Sequence, residues 1–84
     1  MDYWMMTVSG NVFCVKMETN GRVMLDRVGV FKDGESRTFK AKPFADVPRK
    51  WLDGAVANGT AVAVVPMIGG GWMRESEYVD SITA

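Results

Sequence analysis

The apolar positions of this chain fall into short runs separated by glycine- and asparagine-rich punctuation. The most apolar run is Thr60-Ala61-Val62-Ala63-Val64-Val65-Pro66-Met67-Ile68, preceded by Asn58-Gly59 and followed by Gly69-Gly70-Gly71. A β-branched run of this length between such boundaries predicts a strand buried on both faces rather than a helical segment. Pro66 has no N–H to give to a ladder, so regular pairing is expected to end there or pass to an edge. A strand of this kind needs partners on both sides, and we expect the rest of the chain to be organised around it.

Upstream, Tyr3 to Val8 predicts a first strand, ended by Ser9-Gly10-Asn11, and Val12 to Glu18 a second. The loop Thr19-Asn20-Gly21 admits two registers for the hairpin into Arg22 to Phe31. A two-residue Asn20-Gly21 turn would set Val15 opposite Asp26. A three-residue loop with Gly21 left-handed would instead pair Glu18 with Arg22. The second register gathers Phe13, Val15 and Met17 with Val23 and Leu25 on one face and sets opposite charges beside the turn, so we favour it. Asp33-Gly34 marks the next turn, joining Val28–Lys32 to Glu35–Lys42 with Lys32 facing Glu35. Turn signals recurring every 8–12 residues or so indicate an antiparallel meander.

One helix is predicted, Asp46 to Asn58. Asp46 can cap it, Pro48 suits its first turn and Gly59 suits the left-handed residue past its end. Val47, Trp51, Leu52, Ala55 and Val56 form its apolar stripe, so Trp51 is expected to lie buried against the sheet. The fold class is therefore mainly β: about five antiparallel strands in a small, partly open barrel, with this helix covering one opening. The 84 residues make one domain.

Composition narrows the chemistry. There is no histidine, which removes the usual general base near neutral pH and the commonest neutral metal ligand. The single cysteine, Cys14, lies between Phe13 and Val15 and reads as a small buried hydrophobe; alone it makes neither a disulfide nor a zinc site. Glu75, Ser76, Glu77 and Asp80 carry oxygens without the spacing of a calcium loop. The triple glycine leads into Trp72-Met73-Arg74 with no Lys-Ser or Lys-Thr, so it reads as a turn and not a phosphate cradle. No enzyme, cofactor or metal is expected. The start of the chain lacks a basic region followed by a long apolar run, and no apolar stretch reaches the ~18–20 residues of a membrane helix. A cytoplasmic location with no membrane partner is the expectation.

Net charge is zero but unevenly spread. Lys16 to Lys50 holds nine bases against five acids, and Trp51 onward one base against four acids. Within the basic half, Arg37-Thr38-Phe39-Lys40-Ala41-Lys42-Pro43-Phe44 alternates basic and aromatic residues, the pattern single-strand-binding barrels use. Seven methionines and three tryptophans exceed what one small core needs, so some should form an outward apolar patch suited to a protein partner.

Gly71-Trp72-Met73, then Ser76-Glu77-Tyr78-Val79 and Ile82, resembles the closing segment of Src-homology-three and bacterial Src-homology-three-like barrels. In that family a glycine-led strand is followed by one turn of 3₁₀ helix bearing Ser-x-Tyr and a last short strand. The resemblance implies a small, partly open, non-catalytic barrel that binds peptides or cell-wall material, with Tyr78 as the groove tyrosine. Glu75 stands where peptide-binding members have proline, and the glycine-to-tyrosine spacing is one residue longer.

Taken together, the sequence predicts a non-catalytic protein-binding module, of the kind mobile elements encode as small inhibitors or accessory factors. Its expected contact residues are Trp4, Trp72, Met73 and Tyr78, because large rigid side chains dominate binding where they are exposed. The second expectation is a nucleic-acid-binding barrel using Arg37, Phe39, Lys40, Lys42, Arg49 and Lys50. A third is a self-associating structural subunit.

Overall fold

A computed structural model describes residues 3–18 and 20–78. Six strands, β1 (Tyr3–Thr7), β2 (Asn11–Met17), β3 (Arg22–Lys32), β4 (Glu35–Pro48), β5 (Ala61–Pro66) and β6 (Trp72–Arg74), form one antiparallel sheet in the order β4-β3-β2-β1-β5-β6. Helix α1 (Arg49–Ala57) joins β4 to β5, and residues 75–78 add a helical turn after β6. The protein is mainly β, with the three-residue β6 added to the five strands expected.

The first long hairpin takes the three-residue register. Phe13, Val15 and Met17 face Arg27, Leu25 and Val23, and the Glu18 amide donates to the Arg22 carbonyl at 3.0 Å. Gly21 is left-handed (φ +80°), which a side chain would resist. The charge flanking this turn goes elsewhere, however: Arg22 Nε donates to Asp46 Oδ1 at 3.1 Å. At the second turn Asp33 (φ +52°) and Gly34 (φ +81°) are both left-handed, the mark of a type I′ hairpin, and Lys32 faces Glu35.

Two expectations about the middle of the chain are corrected. The valine-rich strand β5 does have partners on both sides, but it lies next to the sheet's edge; β1 and β2 hold the centre. Only Ala61 and Val64 are buried in it, because its outer neighbour β6 is three residues long. The helix starts three residues later than expected. Asp46 and Val47 still pair with Met24 and Val23 in the sheet, so Pro48, extended at φ −63° and ψ 143°, is the last residue before the helix and no side chain caps it. Its C-terminal end follows expectation, with the Asn58 amide donating to Gly54 and Gly59 at φ +82°. Leu52 and Ala55 are buried, whereas Trp51 and Val56 are exposed, so the apolar stripe is narrower than its composition suggested.

Both sheet faces are covered, each in a different half. On one face Met5, Phe13, Val15, Val23, Leu25 and Ala61 pack under Leu52 and Ala55 of the helix. On the other, Val12, Val28, Val64 and Trp72 form a second core, flanked by Trp4, Met6, Cys14 and Phe31. Register shifts at Val12/Phe13, Leu25/Asp26 and Arg27/Gly29 bend the long β3–β4 ribbon between the two halves. The bend carries the start of β4 round to β6. There the Trp72 amide donates to Ser36 Oγ (2.8 Å), the Gly71 amide to Thr38 Oγ1 (3.1 Å) and the Trp72 indole to the Arg37 carbonyl (2.9 Å). The two edges of the open sheet are thus tied by side chains where a closed barrel would have a ladder.

Candidate functional site

Alternation along β6 separates the residues expected to act together. Trp72 and Met73 are neighbours in sequence, so they project to opposite faces of the sheet. Trp72 is 3% exposed and packs with Trp4 in the second core, ring centroids 6.3 Å apart. The expectation that Trp72 faces outward is corrected: its ring and its N–H are both engaged inside the fold. Trp4 is half-buried beside it, so this pair presents little to a partner.

Met73 and Tyr78 do come together. With Val65, Pro66, Met67 and Ile68 they line a groove of about 410 Å³ between the β5–β6 hairpin and the helical turn. Val65 and Met73 are directly paired, so the groove opens on the helix-bearing face. The triple glycine builds its tip. All three glycines have positive φ, the Met67 amide donates to Gly71, and the Gly70 amide donates to Met67. This tight backbone thrusts Ile68 fully into solvent, with Met67 and Tyr78 also exposed. The apolar run continues to Ile68, but as expected the regular pairing ends at Pro66, and Met67 and Ile68 lie beyond the ladder. Pro66 was the available signal, since it ends the ladder and releases whatever follows. Gly71 leads β6 and a single helical turn bears Tyr78, while Val79 and Ile82 of the family resemblance lie outside the described residues.

The basic set divides as well. Arg37 pairs with Val30 near one end of β3, whereas Pro48, just before Arg49 and Lys50, pairs with Arg22 at the other. Eight residue steps of strand, roughly 25 Å, separate those points. Arg49 and Lys50 therefore do not join Arg37, Phe39 and Lys42; Lys40 is exposed on the same strand. In their place the fold supplies Arg27, which faces Lys42 across β3–β4. Its guanidinium lies 4.9 Å from the centre of the Phe39 ring, and its Nε donates to Asn11 Oδ1 at 3.0 Å. Phe44 rests on Phe13, with centroids 4.8 Å apart, yet remains 59% exposed.

Few other groups offer chemistry. Cys14 is half-buried and sits opposite Asp26 in the ladder; Asp26 is buried and its Oδ2 meets Lys16 Nζ at 2.9 Å. Burial raises the Tyr3 hydroxyl pKa above its ordinary value, the Asp53 carboxylate raises it further, and the Arg49 guanidinium opposes both. Among the described residues no three side chains of the types that ligate metals come together, and no helix is long and apolar enough to cross a membrane. Comparison with protein-family models, with curated proteins and with solved structures finds no match to this chain.

Proposed function

We propose that this chain is a non-catalytic module that binds another protein through the groove formed by Val65, Pro66, Met67, Ile68, Met73 and Tyr78. The observation that carries this reading is Ile68, a large apolar side chain held wholly in solvent at the tip of a hairpin. Among the described residues that side chain stays fully exposed, and its burial against a partner removes apolar surface from water at about 25 cal/mol per Å². Met73 and Tyr78 supply an adaptable wall and a rigid, amphipathic one, a combination common in interfaces. Small size and the absence of histidine fit a small inhibitor or accessory factor.

The open edge of the sheet does not favour self-assembly. The edge strand β4 contains Lys40, Lys42, Pro43 and Pro48 and is bent by register shifts, features that discourage strand-to-strand association.

The test is affinity capture from the source cell with the native chain and with Ile68→Asp and Tyr78→Ala, each checked for unchanged unfolding. A partner retained by the native chain and lost by Ile68→Asp supports the reading. A partner held equally by all three chains removes the groove from the interface. A mass that rises with concentration in sedimentation, for the native chain alone, would point to a self-associating subunit.

A further inference from the structure

The half of the helix-bearing face that the helix leaves open has a different character from the groove. Phe13, Arg27 and Lys42 form one direct cross-strand row, so all three side chains share this face. Asn11 and Val30 lie two positions along it, and Arg37 is paired with Val30, which places Arg37 on the same face. Phe39 lies beneath the Arg27 guanidinium and Phe44 against Phe13. Three cations and two phenylalanines are thus interleaved on adjacent strands. Glu35 lies beside them and meets Arg37 Nε at 2.9 Å in an exposed pair that solvent weakens.

We infer that this surface, Arg27, Arg37, Phe39, Lys42 and Phe44, binds single-stranded nucleic acid. Charge alone would suit any polyanion; the rings select among them. Phe44 is anchored on one side by Phe13 and open to solvent, so a base stacks on it without rearranging the core. Arg27 is held in place by Asn11 and by the Phe39 ring, which positions a planar donor set for a phosphate before any ligand arrives. From Arg37 to Phe44 the strand spans about 20 Å, room for about four nucleotides, the low end of site sizes on small barrels. An acidic protein segment meets the same cations but has no flat group for Phe44.

The experiment is fluorescence anisotropy of a labelled oligothymidylate of about 12 nucleotides, long enough to cover one such site. Titrations run between about 50 and 200 mM salt, with a labelled poly-glutamate peptide of equal charge in parallel. Three phosphate contacts give a slope of log affinity against log salt of about −2, and Arg37→Ala or Lys42→Ala each reduces its magnitude by about 0.7. Phe44→Ala weakens binding about tenfold and leaves the slope unchanged. Should a variant unfold, amide shift changes in the native chain carry the test: they must cluster at Arg27, Lys42 and Phe44. No binding at about 50 mM salt overturns the proposal. So do equal affinity for poly-glutamate and shift changes confined to the Ile68 groove.

Discussion

The Trp72 indole N–H donates to the Arg37 carbonyl at 2.9 Å, linking residues 35 apart in the chain and joining the two edges of the sheet. Its ring lies over Gly29, where a Cβ would overlap both the indole nitrogen and the Arg37 carbonyl. Gly29→Ala is therefore expected to force the edges apart and destabilise the fold by about 2 kcal/mol or more, as overpacking does. Trp72→Phe keeps most of the ring and loses the hydrogen bond, at about 1–2 kcal/mol. Urea unfolding of both variants checks the order; a Gly29→Ala protein as stable as the native chain would mean the edges are not tied as described.

Gly54 lies inside α1, and a Cβ there would meet nothing within 4 Å among the described residues. Gly54→Ala should then stabilise the protein by about 0.5–1 kcal/mol, since alanine restricts the unfolded chain and suits a helix. For a domain of this size that raises the melting temperature by about 4 °C, readable by circular dichroism.

The Lys16–Asp26 ion pair is lopsided: the lysine side chain is 47% exposed and the aspartate 9%. The other carboxylate oxygen, Oδ1, is buried and has no hydrogen-bond partner among the described residues. Removing the lysine strands a buried charge, whereas removing the aspartate's charge lets the lysine head turn to water. Lys16→Ala is expected to cost about 2 kcal/mol, and Asp26→Asn about half that or less. Chemical unfolding at neutral pH measures the difference, and equal costs would contradict this account.

The Tyr3 hydroxyl links stability to alkaline pH. Its folded pKa is raised from 10.0, so above that value the unfolded chain loses the proton first. The contribution is fully present below pH 10.0 and is lost as pH rises through the folded pKa. Tyr3→Phe should flatten the fall in stability above that point, and Asp53→Asn should reduce it in part. Unfolding free energies at stepped alkaline pH would show both.

Much of the architecture was already legible in local chemistry. The 19–21 loop allowed two registers, and only one put Phe13, Val15, Val23 and Leu25 on a common face, so the pattern chose the one the fold adopts. Asp33-Gly34 set the next turn for the same kind of reason, since a two-residue hairpin needs two left-handed residues. The start of the helix was misplaced because Asp46 is a good cap in isolation. Arg22, 24 residues earlier, competes for its carboxylate and holds the strand together to Pro48.

By itself, then, the sequence determined the first three strands, the turns that follow them, the hairpin register and the absence of a histidine-based site, all of which depend on neighbours within a few residues. Tertiary structure alone decided which large side chains face water. Trp72 went inside and Trp51 stayed out because the bends in β3 and β4 bring the sheet's edges together over Gly29, while the helix rests on Leu52 and Ala55. It also decided which cations meet, replacing Arg49 and Lys50 with Arg27. Burial and charge clustering depend on contacts between distant segments, and composition does not encode which segments those are.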